Sequence, residues 1–123
     1  MEREDLTRAI IGAAMEVHRT LGPGFVESVY GHALLHELIL CGLSTTSELE
    51  VQIRYKGVIV GRHRLDLVVE NQVIVELKAA HSIAEVHLSQ ALSYMKATSL
   101  AVCLIVNFGE RSLTWKRLVK SRF

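Results

Sequence analysis

The run Leu100-Ala-Val-Cys-Leu-Ile-Val-Asn-Phe108 holds one polar residue in nine and has the length of a strand. It falls far short of the ~20 residues that cross a bilayer, and nothing else in the chain is longer. A strand apolar on both sides has to be covered on both sides. The chain therefore needs a sheet with helices packed on it, and its remaining periodicities have to supply those layers.

They do so in a readable order. Leu6, Ile10, Ala14, Val17 and Leu21 recur every three or four positions and predict a helix that Gly22 stops. After Gly22-Pro23-Gly24 a second helix is expected from Val26 to Cys41, ending at Gly42, with Val26, Val29, Tyr30, Ala33, Leu34 and Cys41 on its apolar side. Period-two alternation then begins with Leu49, Val51, Ile53 and Tyr55, turns at Lys56-Gly57 and resumes from Val58 through Leu65, Leu67 and Val69. A third strand is expected over Val73–Lys78, and a helix over Ile83–Thr98 with Leu88, Ala91, Leu92 and Met95 inward. Leu113–Val119, with Trp115, closes the series as a more polar strand. The expected fold is α/β (α+β): a mixed sheet of about five strands flanked by helices, in the order ααβββαββ. At 123 residues and 50% hydrophobic, one domain spanning 1–123 is expected.

Composition excludes some functions. Lys+Arg 14 against Asp+Glu 13 leaves a net charge of +1, so the chain cannot coat nucleic acid by charge alone and has no acidic disordered tail. Cys41 and Cys103 sit in apolar runs without a C-x-x-C partner, which predicts buried thiols in a reducing cytoplasm and excludes zinc fingers. The acidic start, Met1-Glu2-Arg3-Glu4-Asp5, is unlike a secretory signal. A cytoplasmic protein without a membrane partner is expected.

The chemistry concentrates where two strands meet. If Glu70-Asn71-Gln72 is the loop, Val69 faces Val73, Leu67 faces Val75 and Leu65 faces Leu77, making one apolar face. Asp66 then stands opposite Glu76, and Arg64 opposite Lys78. A register slipped by one would bring Asp66 and Glu76 into the apolar layer, so the hydrophobic pattern selects the first. Two carboxylates about 5 Å apart repel unless a cation bridges them or one is protonated. Oxygen-only ligation suits Mg2+ or Mn2+. Lys78, on the same side as Glu76, is placed to orient or deprotonate a water and to offset phosphoryl charge, which completes a minimal phosphodiester-cleaving set. The competing reading is a solvated sheet face on which Lys78 neutralises Glu76.

Asp66 followed by Glu76-Leu77-Lys78 at the end of the next strand, with helices before and a helix and strand after, resembles the PD-(D/E)XK nuclease superfamily. Gly24-Phe25-Val26-Glu27-Ser28-Val29-Tyr30 is similar to the signature of the small bacterial group called GxxExxY proteins. His18 to Gly24 and Ile105 to Gly109 are similar to that group as well. The resemblance implies a Mg2+- or Mn2+-dependent nuclease hydrolysing DNA or RNA phosphodiesters. Asp66, Glu76 and the Leu77 backbone carbonyl would be metal ligands, Lys78 the catalytic lysine and Glu27 the accessory helix acid. Gln90, and Tyr94 one turn on, would face the site from the third helix. The chain departs from the superfamily pattern at Leu65, where a proline would precede the aspartate. The superfamily also contains members that have lost catalysis, so a non-catalytic binding or assembly module is the alternative.

Other residues are weighed against blander roles. Glu27 borders the apolar stripe three residues before Tyr30 and suits a helix first turn equally well. His32 and His36 lack the glutamate of a zinc protease and read as surface histidines. His18 reads as a packing residue. His87, one turn before Gln90 and Tyr94, can approach the same pocket. Arg62, Arg64 and the C-terminal Lys116, Arg117, Lys120 and Arg122 can touch a few phosphates, binding nucleic acid weakly unless a homodimer or partner subunit helps.

Overall fold

The structure, a computed structural model, describes residues 3–120. Two helices, α1 (Arg3–Leu21) and α2 (Glu27–Leu40), precede β1 (Thr45–Tyr55), β2 (Val58–Val69) and β3 (Val73–Lys78); α3 (Glu85–Thr98), β4 (Val102–Asn107) and β5 (Thr114–Val119) follow. The strands form one mixed sheet in the spatial order β1-β2-β3-β4-β5. Only β3 and β4, joined through α3, run parallel; the other neighbours are antiparallel. This is the expected α+β order.

All six residues of β4 are buried, as the apolar run requires. On one side Val102, Leu104 and Val106 join Leu67, Val69, Val73, Val75 and Leu77 against α1 and α2. On the other, Cys103 and Ile105 join Leu65, Val68 and Ile74 against Ala91 and Met95 of α3. The helices supply the two layers through Leu6, Ile10, Ala14 and Val17 of α1 and Tyr30, Leu34 and Leu38 of α2.

Several helical details differ from expectation. The buried stripe of α2 is Tyr30, Leu34 and Leu38, an i, i+4, i+8 row, so Val26 and Val29 are exposed. Cys41 is exposed too: it follows the last helical residue, and Leu43 takes the core position after the turn. On α3, Ala91 and Met95 face inward while Leu92, one position round, is exposed. Helix starts fall one to two residues later than expected, at Glu27 and Glu85. The basic C-terminal cluster survives as Lys116 and Arg117 on β5 with Lys120 beyond it, while Arg122 lies outside the described residues.

The β2–β3 register is the one the hydrophobic pattern selects: Val69 opposite Val73 and Leu67 opposite Val75. It ends there. Leu65 does not share a face with Leu67 but packs in the α3-side core, so the expected Leu65–Leu77 pair does not form. The alternation breaks at Asp66, next to Glu48 of β1, whose φ of 52° is left-handed and which drops out of the β1–β2 ladder between the Ser47–Leu67 and Leu49–Leu65 pairs.

The loops after α1, β3 and β4 hold the layers together. The Tyr30 hydroxyl donates to the Gly22 carbonyl and accepts from the Phe25 N–H at 3.1 Å, while its ring stacks on Phe108 at 4.6 Å. His18 packs against the same Phe108 and bonds the Glu110 carbonyl at 2.9 Å. Asn107, fully buried, satisfies its whole amide: Oδ1 accepts from Ala80 and Gly109, and Nδ2 donates to the Ala80 carbonyl and Glu110. Gly109 lies so close to Ala80 that a Cβ would sit 2.4 Å from its N and O atoms. Gly109→Ala must therefore push backbone off backbone. A loss of about 1–3 kcal/mol or more in urea unfolding is expected.

Candidate active site

Asp66 is the last residue of β2 before the ladder to β3 begins. With β2 and β3 parted beyond Leu67, the Leu77 N–H has no strand partner and donates to Asp66 Oδ2 at 2.8 Å. The expected face-to-face pair of Asp66 and Glu76 is thus replaced by a fork, bridged by a carboxylate where the strands separate. Arg64 and Lys78 are likewise not paired; Arg64 is exposed and stands opposite Glu50 of β1.

Glu76 projects to the α3 side with Ile74 and is only 6% exposed. A solvated sheet face is therefore excluded for this residue. Its Oε1 is buried and has no hydrogen-bond partner among the described residues. Burial above all, then the adjacent Asp66 carboxylate and the hydrogen bond between the two side chains, push the Glu76 carboxyl from the ordinary 4.5 up to about 9, against the opposing pull of Lys78 and of the Asp66 backbone. Burial first, then Glu76 and Asp66, also raise the Tyr94 phenol and the Cys103 thiol. Tyr94 therefore stands by the same carboxylates from α3, and its ring stacks on His63 of β2 at 4.0 Å. Lys78 is half-buried at the end of β3, where its carbonyl accepts from the Phe108 N–H at 2.8 Å.

On the α2 side Asp66 and Leu77 open onto a cleft of about 260 Å3 whose walls include Glu27, His32, Ser47 and Glu48. Glu27, in the first turn of α2, thus shares a cleft with Asp66. Glu76 and Lys78 do not line it, and among the described residues no three His, Cys, Asp or Glu side chains form a metal-binding group. Of the other expected residues, Gln90 is exposed on α3, His87 is used at the start of α3, where its Nδ1 accepts from the Ala84 N–H at 2.9 Å, and Tyr30 is wholly inside the core.

Two residues, Glu48 and His63, escaped the sequence reading, while His32 is exposed as a surface histidine should be but also borders the cleft. Glu48 reaches the cleft because the β1–β2 register shifts between Ile53 and Arg54; a regular hairpin counted from Lys56-Gly57 would set it against Leu65. His63, with its Nε2 buried and unpartnered, needed the position of Tyr94.

The sequence profile of the PD-(D/E)XK nuclease superfamily matches residues 4–118. The chain belongs to this superfamily. A solved protein, SSO0001, shares the fold with a TM-score of 0.59 at 16% identity, over 76% of this chain and 49% of that one. The chain thus spans about half the length of that structure. No curated protein matches it. In this chain the parting of β2 and β3 brings Asp66 and Glu76 together.

Two stability measurements separate the roles. Because Glu76 holds its proton more tightly folded than unfolded, the metal-free protein loses stability as pH rises from 4.5 towards about 9. Glu76→Gln removes that slope and, at pH 7, stabilises the metal-free protein by about 2–3 kcal/mol in urea titrations. Tyr30→Phe, which leaves the Phe25 N–H and Gly22 carbonyl without their partner, costs about 1–2 kcal/mol at every pH.

Proposed function

We propose that this nuclease-fold domain is a Mg2+- or Mn2+-dependent nuclease hydrolysing DNA or RNA phosphodiester bonds, and that it is a GxxExxY protein. The observation that carries the reading is the buried, orphaned Glu76 oxygen beside Asp66. A carboxylate pair this desolvated calls for a proton or a cation. The donors are all oxygen, which fits a hard divalent ion: Asp66, Glu76 and the Leu77 carbonyl would hold it, with Glu27 reaching from across the cleft. When bound, such an ion supplies a Lewis acid that lowers the pKa of water and offsets phosphoryl charge.

The chain's own residues do the rest. Asp66 keeps the fork in shape through the Leu77 N–H while presenting its carboxylate. Glu76 gives up the proton that burial holds on it, so cation binding should release close to one proton at pH 7. Lys78, whose charge already acts on Glu76, orients the attacking water and stabilises charge growing on phosphorus. Tyr94 and the exposed Gln90 approach from α3, with His87 at its start and Arg64 on β2 as accessory groups. The basic residues of β5 add a weak hold on phosphates. Two free thiols support a reducing compartment such as the cytoplasm.

A second reading, a nuclease-fold module that binds without cleaving alongside a partner protein, is favoured by the separation of Glu27 from Glu76. Calorimetry with Mn2+ in two buffers of different ionisation enthalpy decides between them. Binding with proton release, lost in Asp66→Asn, supports the enzyme; no binding supports the module. Cleavage of single- and double-stranded DNA and RNA with Mn2+ should fall at least 100-fold in Lys78→Ala. Equal cleavage by that variant would mean a contaminant.

A further inference from the structure

Among the described residues β1 is the edge of the sheet, with β2 on one side and no strand on the other. Its odd positions Leu49, Val51, Ile53 and Tyr55 form an apolar stripe, of which Tyr55 is 62% exposed. Its even positions Glu50, Gln52 and Arg54 are exposed and polar. An open groove of about 850 Å3 runs along the residues from Glu50 to Arg54 and is walled by Ser93 and Lys96 of α3. Unpaired edges of this length recruit another strand unless they are blocked.

We propose that the occupant is β1 of a second copy of this chain, paired antiparallel about a two-fold axis through Gln52, so that the two sheets become one. Backbone and side chains select this register together. Lys56 and Gly57, at φ of 47° and 83°, make a two-residue turn in which Tyr55 and Val58 bond to each other. Alternation then directs the peptide groups of Glu50, Gln52 and Arg54 away from β2, so even positions must meet even positions. An axis through Glu50 would set that acid against itself. An axis through Val51 would rely on Glu48, which has left the ladder. With the axis at Gln52, Glu50 faces the partner's Arg54 on both sides of the axis. On the opposite face, Val51 then meets the partner's Ile53 and Leu49 meets the partner's Tyr55. Unlike charges meet along one face and apolar side chains along the other, which is the pairing that stabilises adjacent strands. Glu50 already bonds Arg62 of its own chain at 3.3 Å, so it would bridge two guanidinium groups. The same register brings the partner's Lys56 opposite Glu48, on the rim of the Asp66 cleft. A second copy would thus add a cation to an acidic wall.

Sedimentation equilibrium from micromolar to several hundred micromolar is expected to show a dimer. Arg54→Glu and Glu50→Arg should each weaken self-association at least tenfold, because each sets like charges opposite one another. An equimolar mixture of the two should dimerise again, since every facing pair is then unlike. Gln52→Lys, which meets its own copy on the axis, should also be monomeric, and serves if a charge-reversal variant fails to fold by circular dichroism. A wild-type monomer throughout overturns the proposal. So do variants that remain dimeric, or a mixture that stays monomeric.

Discussion

The parallel pair β3–β4, covered by helices on both faces, is the constraint on which the rest depends. A strand in that position has no solvated side on which to place a polar residue cheaply. Glu76 is nonetheless on β3, and the fold accommodates it only because β2 leaves the ladder one residue before Asp66 would have paired. That departure frees the Leu77 N–H for Asp66 and gives the two carboxyl groups one another's company at the sheet's end. The site's chemistry and the sheet's irregularity have one origin.

The segments surrounding the fork divide the work. Tyr30, His18, Asn107 and Phe108 tie the turn after α1 and the loops after β3 and β4 into one packed block. None of these side chains lines the Asp66 cleft. Within the segment from Gly24 to Tyr30, Glu27 and Ser28 stand on the cleft wall while Tyr30 is spent on the core.

Most of the fold was legible because periodicity reports burial directly. The apolar run of β4, the hairpin at Lys56-Gly57 and the β2–β3 register all follow from which side chains must be hidden. The α2 stripe was misjudged because nearly every face of that helix carries apolar residues, and only its docking on β3 shows that Tyr30, Leu34 and Leu38 are the ones enclosed. Asp66 and Glu76 were legible as a pair but not as a fork, since a register count assumes a regular ladder and the left-handed Glu48 has no marker in its own residue type. Glu48 and His63 belong to the same limit: each acquires meaning from a neighbour distant in sequence.

Glu76 also changes how the protein's charge should be counted. The formal value of +1 treats every acid as ionised. With the Glu76 carboxyl holding its proton at neutral pH, the metal-free chain carries about one more positive charge than that count. Taking up a divalent ion at the expense of this proton would then alter the net charge by one unit instead of two. Electrically, a site that bound such an ion would act as an exchanger, with a hydrogen ion as its resting occupant.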